Sequence, residues 1–200
     1  YYLKGIGPEP DSQVQIQRND GEWHVEETWP STDVEWQLHE VSNWGDMGTV
    51  SSSSSIVLSS EPFESEIHIS GLPTFHAQVR ANSCNGGQLF VTMSDGTSGL
   101  RLGHATMDLR YRDGGYEAKS VTPFAAYTMQ MEFNPMDVVI PEGHVIQLEI
   151  AESGEDYLPS TCASAGITLV DAEQPLSLPL IDRPVSDERW FEVPPWWNSQ

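Results

Sequence analysis

Strict alternation of apolar and polar residues between Pro123 and Pro159 limits what this chain can fold into more than any other feature. The apolar positions of its two halves are Tyr127, Met129, Met131 and Phe133, then Ile146, Leu148 and Ile150. A period of two residues is that of a β-strand with one buried face. Turn residues at 134–135 and 141–143 flank a short apolar run at 138–140. We therefore predict two long antiparallel sandwich strands, joined over one end of a sheet.

Shorter alternating segments fill much of the remaining chain and are separated by turn residues. The clearest turns are Asp20-Gly21, Gly71-Leu72-Pro73, Asn85-Gly86-Gly87, Asp95-Gly96 and Asp113-Gly114-Gly115. Strands at intervals of about 8–12 residues with turns between them are typical of an all-β sandwich or barrel. Leu100 and Leu102 predict one short strand, and Met107, Leu109 and Tyr111 predict the next.

The two ends of the chain differ from its centre. Residues 1–7 resemble the last turn of a helix closed by a glycine, so we predict a short, truncated N-terminal helix. The predicted division is a helix remnant and linker at 1–12, a β-sandwich at 13–184 and an aromatic tail at 185–200. The tail's large rings are expected to pack back on the sandwich or to dock on a partner. They are Trp190, Phe191, Trp196 and Trp197.

Charge excludes two classes of partner. The chain has 200 residues and a formal charge of −21, from 30 acidic and 9 basic residues. Such a surface repels nucleic acid and anionic membranes, so neither is expected as a partner. An acidic, lysine-poor surface suits a high-salt cytoplasm, while an ordinary acidic protein is the alternative, and both interpretations stay open. A cytoplasmic location is favoured.

No metal, cofactor or catalytic group is predicted. Cys84 and Cys162 are expected to be free thiols, although a disulfide stays open, and no CxxC pair exists. Five acids near predicted loops have the chemistry of Ca²⁺ ligands, but such clustering is expected by chance among 30 acids. They are Asp108, Asp113, Asp137, Glu155 and Asp156. The G-x-S-x-G elbow of an α/β-hydrolase nucleophile is absent, and residues 96–99 lack its spacing.

The histidines are predicted to be structural. They are His24, His39, His68, His76, His104 and His144. Alternation places His68 opposite Ile67 and Ile69, so we expect His68, like His76, to face outward. His144 is expected to open a core strand rather than to present a catalytic imidazole.

Six motifs in order along the chain resemble those of X-prolyl dipeptidyl-peptidases and cocaine-esterase-like hydrolases. They are YYLKGIG, GEWHVEETWP, LSSEPFESEIHISGLPTFHAQV, GHVIQL, YLPS and LSLPLIDRP, spanning Tyr1 to about Pro184. Phe63 stands where the family usually has Leu. Val145 and Gln147 replace the arginines of the family's GHRLRL strand, so any role of those arginines does not carry over.

The resemblance implies a galactose-binding-like jelly roll, the non-catalytic C-terminal domain that follows an α/β-hydrolase domain with a Ser-Asp-His triad. The chain alone is then expected to be inactive. Its parent is expected to be a serine hydrolase, either an X-Pro dipeptidyl-peptidase or an acyl esterase. In that enzyme the domain would help to wall the active site and to form a homo-oligomer.

The alternative is a free-standing carbohydrate-binding module with an aromatic platform. Its rings would come from Trp23, Trp29, Trp36 and Trp44. The first two fit the junction motif instead, which favours the hydrolase interpretation.

Overall fold

A computed structural model describes residues 13–21, 23–39, 48–154, 157–158, 160, 162, 165–171 and 176–182. Within them the chain is all-β. Its strands are β1 (Val14–Gln17), β2 (Trp23–Glu26), β3 (Val34–His39), β4 (Thr49–Val50), β5 (Ile56–Ser59), β6 (Ile67–Gly71), β7 (Thr74–Ala81), β8 (Gln88–Asp95), β9 (Arg101–Asp108), β10 (Ala126–Glu132), β11 (Met136–Ile140), β12 (Ile146–Ala151), β13 (Ile167–Asp171) and β14 (Leu176–Ile181). The predicted helix at 1–7 and the aromatic tail lie outside the described residues.

The strands form two antiparallel sheets and a separate hairpin. The larger sheet has the order β11-β6-β14-β7-β13-β4, with β10 beside β7 and β3 beside β14. The smaller sheet has the order β5-β12-β8-β9. Strands β1 and β2 form the hairpin, and its turn contains Gly21 at a φ of +90°, which favours glycine. The predicted all-β sandwich and the predicted Asp20-Gly21 hairpin are confirmed.

Alternating side chains from both sheets build one apolar core. Met129 and Met131 of β10 and Leu148 and Ile150 of β12 are fully or almost fully buried, as their alternation predicts. Burying one such side chain contributes roughly 1.5–3 kcal/mol. The same alternation places the polar residues between these buried positions on the outer face of each sheet.

The prediction of how the strands of the 123–159 stretch join was wrong. Strand β10 pairs with β7 in the larger sheet, β12 pairs with β5 and β8 in the smaller one, and β11 between them pairs with β6. The first and last strands thus lie in different sheets. Alternation specifies that one face is buried but not which strand lies alongside, because pairing partners are distant in sequence.

Two further predictions are corrected. Residues 101–108 form one strand, β9, and Leu109–Tyr111 form a 3₁₀ turn rather than part of a strand. The Asp108 carboxylate accepts a hydrogen bond from the Arg110 amide at 2.8 Å, which caps this turn. Cys84 and Cys162 form a disulfide with Cα atoms 5.8 Å apart, so they are not free thiols. The fold brings together two loops that are 78 residues apart.

The β1–β2 hairpin lies against the outer face of the larger sheet at its β11 edge. The Asn19 side chain donates to the Val139 carbonyl at 3.0 Å and accepts from the Val139 amide at 3.1 Å. It thereby pairs with an edge strand whose backbone groups would otherwise be open to another chain. The hairpin covers polar side chains that alternation alone would leave in solvent.

Candidate functional site

The most concentrated group of polar side chains lies under this hairpin, and we call it the Asp137 cluster. It comprises His24 of β2, His68 and Ser70 of β6, and Asp137 of β11, which are each at most 5 % exposed. One Asp137 oxygen lies 2.8 Å from His68 Nε2, and the other accepts a hydrogen bond from the Ser70 hydroxyl at 2.7 Å. His24 Nε2 is 3.6 Å from the second oxygen. The two hydrogen bonds join β6 to β11, and His24 brings the hairpin against them.

Its residues meet because of strand register. Asp137 stands directly opposite Ser70 in the β6–β11 pair, and Val139 stands opposite His68. His68 points away from the core, as predicted, but the hairpin covers that face, so His68 is buried and contacts Asp137 instead of solvent. Asp137 lies near a loop, as predicted, because it is the second residue of β11 and residues 133–135 before that strand form a loop. Only the non-local register reveals the group.

Ser, His and Asp meet here in an order unsuited to nucleophilic catalysis. In a hydrolase triad the imidazole lies between the nucleophile and the acid, so that it takes the hydroxyl proton. In the Asp137 cluster the carboxylate lies in the middle and accepts the Ser70 hydrogen bond directly. Ser70 is 0 % exposed, and its oxygen also accepts the Trp29 indole N–H at 3.3 Å. This buried arrangement suits a structural role rather than attack on a substrate.

A second polar group ties two turns of the smaller sheet together around Asp95. Its carboxylate accepts hydrogen bonds from the amides of Thr97 and Ser98 and from the Ser98 hydroxyl, and lies 2.8 Å from His144 Nδ1. Burial by itself raises the pKa of Asp95, but the hydrogen bonds from Ser98 and His144 outweigh it and lower that pKa below its usual range. The stabilisation that these hydrogen bonds give to the Asp95 carboxylate is therefore lost as the pH falls into the acid range. The expectation that His144 plays no catalytic part stays a prediction.

The remaining histidines lie on different strands. His76 faces away from the core as predicted, because Phe75 and Ala77 on either side of it are buried, and its half-buried ring lies 3.0 Å from the Thr74 hydroxyl. His104 lies on the smaller sheet, with Nε2 2.9 Å from the Tyr157 hydroxyl. His39 belongs to β3. No contact within the described part of the chain brings His76 and His104 to one site.

The sequence pattern does not single out Glu152, yet it is the most isolated ionisable group among the described residues. It directly follows β12, is 1 % exposed, and neither carboxylate oxygen has a hydrogen-bond partner. Burial raises its pKa to about 7. The alternation of β12 carries Glu152 inward, since Ile150 two residues earlier is fully buried.

We expect Glu152→Gln to stabilise the protein at alkaline pH. The pKa of Glu152 in the folded protein lies above its unfolded value of 4.5. The contribution of this group to stability is therefore fully present below about pH 4.5 and is lost as the pH rises to about 7. The slope is about 1.4 kcal/mol per pH unit, which gives a loss on the order of 3 kcal/mol. Urea denaturation from pH 5 to 9 measures this. The free energy of unfolding of Glu152→Gln should change less with pH than that of the wild type. The control Glu132→Gln, at an exposed position, should follow the wild type. The same dependence on pH for Glu152→Gln and the wild type would contradict the account.

The tryptophan platform and the metal site also have structural outcomes. Trp29 donates its indole N–H to Ser70 of the Asp137 cluster. Trp36 of β3 is 55 % exposed, and Trp44 lies outside the described residues.

The described part of the chain contains no group of three or more His, Cys, Asp or Glu side chains that could hold a metal ion. Glu155 and Asp156 lie outside it. No helix in the described ranges is long and apolar enough to cross a membrane.

Comparison with known proteins gives the chain a family. A family model described as the X-Pro dipeptidyl-peptidase C-terminal non-catalytic domain matches residues 34–174. The chain belongs to this family. The matched range contains the His68, Ser70 and Asp137 part of the cluster, while the β1–β2 hairpin that covers them precedes it. No curated protein matches the chain.

Solved structures share the fold of this X-Pro dipeptidyl-peptidase C-terminal domain at low sequence identity. A CocE/NonD family hydrolase from Staphylococcus aureus matches with a TM-score of 0.60 and 10 % identity, over 84 % of this chain and 41 % of its own. An aminopeptidase from a marine sediment Thaumarchaeota archaeon matches with a TM-score of 0.61 and 12 % identity, over 82 % of this chain and 39 % of its own. An α-amino acid ester hydrolase matches with a TM-score of 0.50 and 14 % identity, over 84 % of this chain and 36 % of its own. The chain thus spans about two fifths of the length of these proteins.

Proposed function

We propose that this chain is the C-terminal β-sandwich domain of an α/β-hydrolase-type serine hydrolase, either an X-Pro dipeptidyl-peptidase or an acyl esterase. The family match over residues 34–174 carries the proposal, because that family is defined by a non-catalytic domain at the C-terminus of a peptidase. A jelly roll of the galactose-binding type is the topology that we propose for it. The chain by itself is inactive, and the triad lies in the preceding part of the parent enzyme.

The Asp137 cluster supports a structural role for this domain. Its buried hydrogen bonds join β6 to β11 beneath the β1–β2 hairpin, and His24 of the hairpin lies 3.6 Å from Asp137. The hydrogen bonds between Asn19 and Val139 attach the hairpin to the same edge of the larger sheet. A hairpin held in this way gives the chain that enters the sandwich a defined position. We propose that this rigid entry lets the domain wall one side of the parent's active site, with formation of a homo-oligomer as a second role.

The upstream reading frame is the direct test of this function. We expect it to encode an α/β-hydrolase domain containing a G-x-S-x-G elbow. The purified parent should hydrolyse an X-Pro dipeptidyl anilide or a short acyl ester, and a variant of the parent lacking this domain should lose that activity. An upstream frame with no hydrolase domain would overturn the proposal.

No specific observation favours the carbohydrate-binding alternative. Trp29, one of the four rings proposed for a platform, is half-buried and bonded to Ser70. We therefore keep the hydrolase domain as the single proposed function.

A further inference from the structure

A cavity of about 320 Å³ lies on the outer face of the smaller sheet, away from the Asp137 cluster. Its floor is formed by side chains of β8 and β12, and the connection that follows β12 supplies a wall. The lining residues are Phe90, Thr92, Arg101, Glu149, Ala151, Ser153 and Gly154. This volume is at the lower end of the range for small-molecule sites, roughly 300–1,000 Å³.

The wall is fixed in place by two contacts. A side chain at Gly154 would overlap the Phe90 ring, so only glycine lets the backbone cross that ring so closely. Farther along, the Tyr157 hydroxyl lies 2.9 Å from His104 Nε2, and the Tyr157 and Phe90 ring centroids are 5.2 Å apart. These contacts hold Gly154 and Tyr157 against the outer face of the sheet and shape one side of the cavity.

Two opposite charges face this cavity without neutralising each other. Thr92 of β8 is paired on one side with Glu149 of β12 and on the other with His104 of β9, the strand that also carries Arg101. Arg101 makes one contact, 3.4 Å, with His104 Nδ1 and lies 6.0 Å from the centre of the Phe90 ring. Among the described residues, Glu149 has no hydrogen-bond or ion-pair partner. Both charges are free to bind a ligand.

We propose that this cavity binds a short peptide with free termini, a dipeptide zwitterion, with its carboxylate on Arg101 and its ammonium group on Glu149. Glu149 stands opposite Thr92 and Arg101 stands opposite Ser94. Their Cα atoms therefore lie two strand spacings apart across the sheet and two residues apart along it, which is about 12 Å. A dipeptide spans at most about 7 Å, and two charge-assisted hydrogen bonds of about 2.8 Å cover the rest. A single amino acid is too short. A neutral sugar would displace water from both charges without pairing either, which is unfavourable.

The site goes beyond the proposed function, because it requires no hydrolase domain and can be tested on this chain. Titration of Ala-Ala into the ¹⁵N-labelled chain, followed by NMR, should give saturable shifts at Thr92, Arg101 and Ser153. We expect a Kd on the order of 1 mM, as for a small ligand held by two charge pairs. N-acetyl-Ala-Ala, Ala-Ala amide, glycine and glucose are the comparison ligands. Each should bind at least about tenfold more weakly than Ala-Ala, a difference of about 1.4 kcal/mol.

Matched variants separate this site from general surface binding. Arg101→Gln and Glu149→Gln should each weaken Ala-Ala binding about tenfold or more. Glu132→Gln removes an equally exposed carboxylate from β10 of the other sheet and should leave binding unchanged. The inference is overturned if N-acetyl-Ala-Ala, Ala-Ala amide or glucose binds as tightly as Ala-Ala. It is also overturned if Ala-Ala at about 10 mM gives no saturable shifts.

Discussion

Replacing Asp137 with alanine is expected to lower the free energy of unfolding by roughly 3–5 kcal/mol. The carboxylate holds a 2.7 Å hydrogen bond from Ser70 and lies 2.8 Å from His68, and all three groups are buried. Removing it leaves a buried hydroxyl and imidazole without this partner, and that desolvation penalty remains in the folded state. Urea denaturation at neutral pH, monitored by tryptophan fluorescence, measures the loss.

Asp113→Ala is the matched control for this experiment. Asp113 is an exposed residue of the turn after the 3₁₀ segment, so its removal should change the free energy of unfolding by no more than about 0.5 kcal/mol. Asp137→Asn keeps one hydrogen-bond acceptor, so its free energy of unfolding should lie between those of the control and the alanine variant. A loss below about 1 kcal/mol for Asp137→Ala would show that these buried hydrogen bonds do not stabilise the fold.

Removing the Cys84–Cys162 disulfide is expected to have an effect of similar size. The bridge closes a loop of 78 residues between the β7–β8 and β12–β13 connections. Loop-closure entropy in the unfolded chain then corresponds to about 4.5 kcal/mol. In the Cys84→Ser, Cys162→Ser double variant, the midpoint of thermal unfolding should fall by roughly 9–18 °C.

Reduction of the wild type provides the control for the disulfide. The bridge borders a polar cavity of about 420 Å³ that is also lined by Ser83, Asn85 and Ser160, so a small reductant can reach it. Dithiothreitol should lower the wild-type midpoint to that of the double variant and should not affect the double variant. Equal midpoints for the oxidised wild type and the double variant would contradict a stabilising bridge.

The sequence predicts those parts of this fold that depend on local pattern. Met129, Met131, Leu148 and Ile150 are buried as their alternation indicates, since a strand's period is a property of consecutive residues. Pairing is a different matter. Nothing local shows that β10 joins β7 while β12 joins β5 and β8, because these contacts are set by the whole fold.

The polar groups show the same limit. Asp137 and His68 are 69 residues apart, and the hairpin that covers them is a third, distant segment. The alternation of its own strand predicts an outward His68, and only the packing of β1–β2 buries it. Cys84 and Cys162 likewise pair through two loops that the sandwich brings together. Motif resemblance, which combines distant positions, identified the family where local pattern could not.

The disulfide also bears on location. Structural disulfides are commonest in proteins of oxidising compartments. The cytoplasmic location favoured from the acidic composition stays a prediction, as does the absence of nucleic-acid and membrane partners.

Covalent labelling with a fluorophosphonate probe tests the central claim, that this domain supports a serine hydrolase without supplying its nucleophile. Such probes react with an accessible hydroxyl that is activated by an imidazole, whereas Ser70 is fully buried and its hydroxyl donates to the Asp137 carboxylate. We predict that the purified 200-residue chain stays unlabelled while the parent enzyme is labelled at a serine upstream of residue 1. Stoichiometric labelling of this chain, mapped by mass spectrometry to one of its own serines, would contradict the account.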